Sequence, residues 1–391
     1  MPKMILRLLA CGMLAACTLP LFCACRDEKT TTSSSSTKVS TTTSATTTTT
    51  MTTTTTATTT TEPPLGDAII EQTGAAYVAR DLAYGDRVDM SSQAQKAGSQ
   101  IYDVYLPKMP NELDADTPVM LFLHGGAWSV PDYDKTADGA WLGKALAQKG
   151  MVVFSMNYVL QNSSGTAENA TAEDMLADID AMMFHISLLL PKLGIETDSI
   201  AIGGNSAGAH LASLYAYKCK DTSPLKIAFL VDIVGPTNLL TYKPVMDHLM
   251  DLAFGNYEIA NAAITAATGI GFGLFAGMAG VSAGEEHMDE MWVKLEEYSP
   301  VTYVSADVCP TIMAYAHTEN AALPSFALPE GFESDGLVST ECYYEMVEKL
   351  TSCEVPHCAR MFENTEHGQM WETAQSTWIV SEILEFAELY L

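Results

Sequence analysis

Ile200-Ala-Ile-Gly-Gly-Asn-Ser-Ala-Gly-Ala-His-Leu-Ala212 is the stretch whose reading decides the fold. An apolar run enters it, a helical pattern leaves it, and a serine stands at the junction among small residues. Gly204-Asn-Ser206-Ala-Gly208 fits G-x-S-x-G, a sharp strand-to-helix turn that exposes the serine hydroxyl. Packing on a tight turn asks for small residues too, so the surroundings must decide.

Upstream, Val119–Leu123 and Met151–Met156 are continuous apolar runs, as expected of strands buried on both faces. Ile101–Leu106 alternates like an early strand, and 199–202, 227–234, 311–315 and 357–362 supply further strands. Helical patterns cover 137–148, 171–193, 207–217, 339–350 and 372–390. Thr171 caps the second of these with Asp174 three residues on, and Gly194 stops it. This alternation predicts an α/β fold, a mostly parallel sheet with helices on both faces. Active sites of such sheets lie at the carboxyl ends of the strands. Ser206 stands at one such end.

A serine hydroxyl needs a base to take its proton and donors for the oxyanion that forms. His124-Gly-Gly-Ala-Trp128 follows the strand 119–123, and backbone N–H groups approach a substrate closely where there is no side chain. Gly125 and Gly126, with the N–H of Ala207, are the expected oxyanion hole.

These residues, with Gly235-Pro-Thr237 and Tyr298-Ser-Pro-Val-Thr-Tyr303, resemble the α/β-hydrolase carboxylesterases of the hormone-sensitive-lipase-like and bacterial feruloyl-esterase-like groups. The resemblance spans about residues 68–391. It implies serine ester hydrolysis through an acyl-enzyme, with no cofactor and no metal. The triad order of this fold is serine, acid, histidine. His367 follows the last strand, where the family places its base; His317 is the alternative. His210, one helical turn beyond Ser206, reads as structural, and His124 as shaping the oxyanion loop. The family's aspartate is missing just beyond the strand 311–315, where Ala316-His-Thr-Glu-Asn320 stands. Reading 318–334 as an insertion makes Asp335 the acid, with Glu319 as the alternative.

Ala262–Gly284 carries no charge and is long enough to span a membrane. A span there would separate Ser206 from Asp335 and His367. A cap-like insertion over about 244–297 is therefore expected, with Trp128, Phe272, Leu274, Phe275 and Met278 as pocket lining. The opposing reading for these side chains is ordinary core.

Lys3 and Arg7 precede an apolar stretch that runs to Cys25, the pattern of an export signal over residues 1–25. It resembles a bacterial lipoprotein signal lipidated at Cys25 or Cys17. From Thr30 to Thr61 every residue except Lys38, Val39, Ala45, Met51 and Ala57 is Thr or Ser, so 26–64 reads as a linker without a core. A hydrolase domain at 65–391, tethered outside the cell, follows from these readings. Acyl groups on polysaccharides are then the expected substrate class. The net charge of −28 excludes nucleic acid, whose binding needs clustered cations. A Cys353–Cys358 bridge is one option and unpaired thiols the other; the spacing shows no zinc pattern. The competing functions are a serine peptidase, since the fold hosts those too, and a non-catalytic glycan-binding lipoprotein on a decayed scaffold.

Overall fold

A strand buried on both faces has no solvent side to alternate toward, and the apolar runs accordingly gather into one sheet. The computed structural model describes residues 64–161, 170–268, 271–319 and 328–391. The export signal, both candidate lipidation cysteines and the linker up to Pro63 lie outside the described residues. Pro64–Leu391 form one compact unit.

Strands β1 (Ile70–Thr73), β2 (Ala76–Ala83) and β3 (Ile101–Leu106) pair antiparallel. They continue into β4 (Val119–Leu123), β5 (Val152–Met156), β6 (Ser199–Asn205), β7 (Lys226–Ile233), β8 (Thr311–His317) and β9 (His357–Glu363), in the order β1-β2-β3-β5-β4-β6-β7-β8-β9. From β5 across to β9 every pairing is parallel. β1 and β2 were not legible as strands, because neither carries a continuous apolar run; β1 is exposed in its middle and β2 is buried only over its first half.

Helices cover both faces. One face packs against α2 (Gly139–Ala147), which follows the short α1 (Gln93–Ala97), and against the C-terminal helix (Thr373–Tyr390), through Leu142, Leu146, Ile379 and Ile383. The other packs against α3 (Ala172–Leu189) and α4 (Ala207–Lys218), through Met175, Ile179, Leu211 and Leu214. β3 departs from its alternating pattern, with all six residues buried. Tyr105 meets α2 at Gly143 on one side, and Tyr102 bonds His185 of α3 at 3.0 Å on the other. Thr171 and Asp174 form the expected capping box, and Gly194 at φ 78° ends the segment beyond Pro191.

Between β7 and β8 the chain forms α5 (Lys243–Leu252), α6 (Tyr257–Thr268), α7 (Phe272–Ala279) and α8 (Met288–Glu297). The uncharged stretch is thus broken into short helices. Among the described residues no helix is long and apolar enough to cross a membrane. After β8 comes α9 (Glu341–Ser352), then β9 and the C-terminal helix, α10. Cys353 and Cys358 are unpaired, which removes the bridge option. Cys353 packs into the core on one face of the sheet and Cys358 into the core on the other.

Candidate active site

The turn after β6 is as tight as its glycines suggest. A Cβ on Gly204 would lie 2.3 Å from the Gly208 carbonyl carbon, and one on Gly208 would lie 2.2 Å from the Leu123 oxygen. Only bare backbone lets the strand, the following helix and the end of β4 come this close. Ser206 sits at φ 54°, ψ −121°, held by its N–H donating to the Ile233 carbonyl at 2.8 Å. Such a backbone is costly for a residue with a Cβ, on the order of 1–3 kcal/mol.

The structure brings Ser206, His367 and Asp335 together. His367 Nε2 lies 2.9 Å from Ser206 Oγ, and its Nδ1 lies 2.6 Å from Asp335 Oδ2. A carboxylate only accepts, so Nδ1 carries the proton and Nε2 is free to accept from the serine hydroxyl. The His367 backbone N–H also donates to the Asp335 carbonyl at 2.9 Å. Asp335 is 1% exposed, and its other oxygen accepts from the N–H groups of Leu337 and Val338 at 2.9 and 2.7 Å. Burial lowers the His367 pKa, but the charge and hydrogen bond of Asp335, with the charge of Asp138, outweigh it and hold it above the ordinary 6.5.

Thr318 donates to the Ser334 carbonyl at 3.1 Å, so the chain leaves the end of β8 and comes back to it. Asp335 follows that return point. Residues 320–327 of this excursion lie outside the described residues. Glu319 is exposed and makes none of the contacts to His367. His317 pairs with Glu363 at 2.7 Å instead of joining Ser206.

The other histidines hold structure. His210 accepts from the Trp128 indole at 3.3 Å through Nδ1, and its Nε2 bonds the Tyr298 carbonyl at 2.8 Å. His124 Nδ1 donates to the Gly125 carbonyl at 2.7 Å, and the ring stacks on Tyr158 at 4.5 Å. Burial pushes both imidazoles down to about 4, so both are neutral at pH 7. For the oxyanion hole, Gly126 lines the cavity at Ser206. Ala207 opens α4, where an N–H has no intrahelical acceptor. Gly125, the third expected donor, is not among the residues that line that cavity.

A cavity of about 400 Å³ opens on Ser206 and His367. Its walls are mostly apolar, with Val245 of α5, Ile264 of α6, Phe275 of α7 and Leu337 among them. Trp128 and Phe275 line it as expected. Phe272 and Met278 do not: both are fully buried in the core, Phe272 edge-on to Tyr257. Leu274 does not line it either: half-buried, it packs against the core. Phe272, Phe275 and Met278 share one side of this helix at i, i+3 and i+6, and of the three only the middle one reaches the cavity. Sequence reading missed Asp138, Asn205 and Trp371, which also line the cavity. No motif marks Asp138 or Trp371; Asn205 was in view as the unspecified residue of the elbow. Among the described residues no cluster of side chains is suited to hold a metal ion.

A family model designated BD-FAE matches residues 102–270, less than half of the chain. A probable isoprenylcysteine alpha-carbonyl methylesterase of Oryza sativa subsp. japonica is 31% identical over 136 residues, which are 35% of this chain and 28% of that protein. The chain therefore spans under a third of that relative's length. Among solved structures, esterase B from Lactobacillus rhamnosis in inhibited form superposes with a TM-score of 0.53 at 16% identity, covering 83% of this chain and 89% of that one. A truncated carbohydrate esterase from gut microbiota gives 0.53 at 18% identity, over 80% and 96%.

Proposed function

We propose that this chain, an α/β-hydrolase by its sheet and its structural neighbours, is a serine carboxylesterase. The observation that carries the reading is the continuous hydrogen-bonded line from Ser206 through His367 to Asp335. His367 Nε2 takes the hydroxyl proton as Ser206 Oγ attacks the ester carbonyl, and the imidazolium formed is stabilised by Asp335. Gly126 and Ala207 N–H groups meet the oxyanion; each such donor contributes about 3 kcal/mol to the transition state. His367 then gives its proton to the departing alkoxide, the alcohol leaves, and a water activated by the same ring hydrolyses the acyl-enzyme.

The apolar cavity supports an acyl group of hydrocarbon character, because burying it there removes apolar surface from water. The alcohol side would be a polysaccharide, and the enzyme would stand outside the cell on a lipid anchor at Cys25 or Cys17, an idea that rests on the leader and linker of the sequence. Labelling with a fluorophosphonate, which reacts readily only with an activated serine, tests the central claim. Wild type should label and hydrolyse short p-nitrophenyl esters, and Ser206→Ala should do neither. Retained hydrolysis in Ser206→Ala would sink the assignment; cleavage of peptides but not esters would turn it toward a peptidase.

A further inference from the structure

Asp138 immediately precedes α2, 7% exposed, its side chain making no capping bond to the helix, and none of the triad steps uses it. It lines the cavity. Its Oδ2 accepts from Asn205 Nδ2 at 2.8 Å, and Asn205 is the residue immediately before the nucleophile. The backbone N–H of Gly125 and the indole N–H of Trp371 also stabilise its charged form. Gly125 begins the oxyanion loop, and Trp371 closes the turn that starts at His367. One buried carboxylate thus holds the elbow directly and shares a cavity wall with Trp371 of the base-bearing turn.

We propose that Asp138 is a positioning residue of the hydrolytic site: its carboxylate holds the Ser206 elbow through Asn205, and its negative charge supports the His367 imidazolium. The proposal rests on the serine-hydrolase reading of the site. The chemistry of the partners argues for it. The partner on the elbow is an amide N–H₂, a donor only. An ionised carboxylate accepts from that amide with no proton of its own to misplace. Packing alone would be served by an apolar residue, since a buried charge is expensive to hold. Burial does push the Asp138 pKa up, against the pull of Asn205, Trp371, Gly125 and the charge of His367. The charged groups acting on His367 are Asp335 and, farther off, Asp138, and both raise its pKa.

The test uses the full chain with Asp138→Asn, Asp138→Ala and the exchange Asp138→Asn with Asn205→Asp. Kinetics on p-nitrophenyl acetate, melting temperature and the NMR titration of His367 are read for each. Asp138→Asn should lower kcat by about 10–100-fold, the size seen when a supporting group behind a reacting one is lost. It should also move the His367 titration, and with it the acid limb of kcat/KM, to lower pH. The exchange restores an amide–carboxylate pair and an anion beside the elbow, so it should recover part of both losses. A kcat and a His367 titration both unchanged in Asp138→Asn overturn the proposal. So does a lowered melting temperature with an unmoved titration, which would make Asp138 purely structural. If wild type neither labels nor hydrolyses any ester, the serine-hydrolase reading has failed; the His367 titration in Asp138→Asn still decides whether Asp138 acts on that ring.

Discussion

Thr318 and Ser334 are joined by a backbone hydrogen bond of 3.1 Å, the Thr318 N–H donating to the Ser334 carbonyl at the end of β8. Everything between them is an excursion that begins and ends at the same point of the sheet. In space Asp335 therefore stands just beyond β8, where the fold needs its acid, although the sequence puts it well downstream. Asp335→Asn should cut kcat by roughly 10³–10⁴, because the amide favours the wrong imidazole tautomer. Glu319→Gln should change kcat by less than about threefold. Steady-state kinetics on both variants decide; a crippled Glu319→Gln beside a near-normal Asp335→Asn would move the acid back to the end of the strand.

The rate should follow the neutral fraction of His367, since only the neutral ring accepts the serine proton. Its pKa is held above 6.5 by the two carboxylates in spite of burial. Protonation below that value removes the base, so kcat/KM should fall on the acid side with a midpoint above about 6.5. A pH–rate profile with an acid limb centred below 6 contradicts this electrostatic picture.

Phe275 lines the cavity from α7 and is 3% exposed. Truncating it to alanine should weaken long acyl chains more than short ones. The expected change is a loss in kcat/KM for p-nitrophenyl hexanoate about tenfold greater than for the acetate, on the scale of one apolar pocket contact. The ratio of the two substrates in one sample cancels any unfolded fraction. An unchanged ratio would move the acyl group elsewhere.

Behind the elbow, Asp232 is fully buried, with Oδ1 accepting from the Gly235 N–H at 2.9 Å. The Tyr315 hydroxyl touches Asp232 Oδ2 and the Gly235 carbonyl, and it has one proton for two acceptors. A protonated Asp232 resolves the conflict by donating to the tyrosine oxygen, and burial does push its pKa up to about 7. The folded state then binds more protons than the unfolded one between 3.8 and about 7, so stability falls as pH rises through that window. Asp232→Asn imitates the neutral acid and should flatten the fall. Melting temperatures at pH 5 and pH 8 measure it: wild type should lose more than the variant.

The strands of the parallel sheet and the elbow were legible because each rests on a local signal, a continuous apolar run or glycines at fixed offsets. Ser206 and His367 followed from where such strands end. Asp335 was reached only by treating 318–334 as an excursion, since nothing local distinguishes Asp335 from Glu319. The cavity was harder. Phe272 and Phe275 look alike in an uncharged stretch and share one side of α7, and which one reaches the site depends on where along that helix the cavity lies. Asp138 was invisible for a similar reason: its partner Asn205 reaches it only when the sheet forms.

The backbone of Ser206, at φ 54° and ψ −121°, also bears on how much stability the molecule gives up at this position. No residue with a Cβ is comfortable there, and glycine alone adopts the conformation without strain. Ser206→Gly should therefore melt higher than wild type, by about 2 °C for each kcal/mol relieved in a chain of this size. Folding by itself would favour glycine at 206, and a serine there trades stability for reactivity. A library selected only for thermal resistance should drift to glycine at this site, and one selected for ester turnover should not.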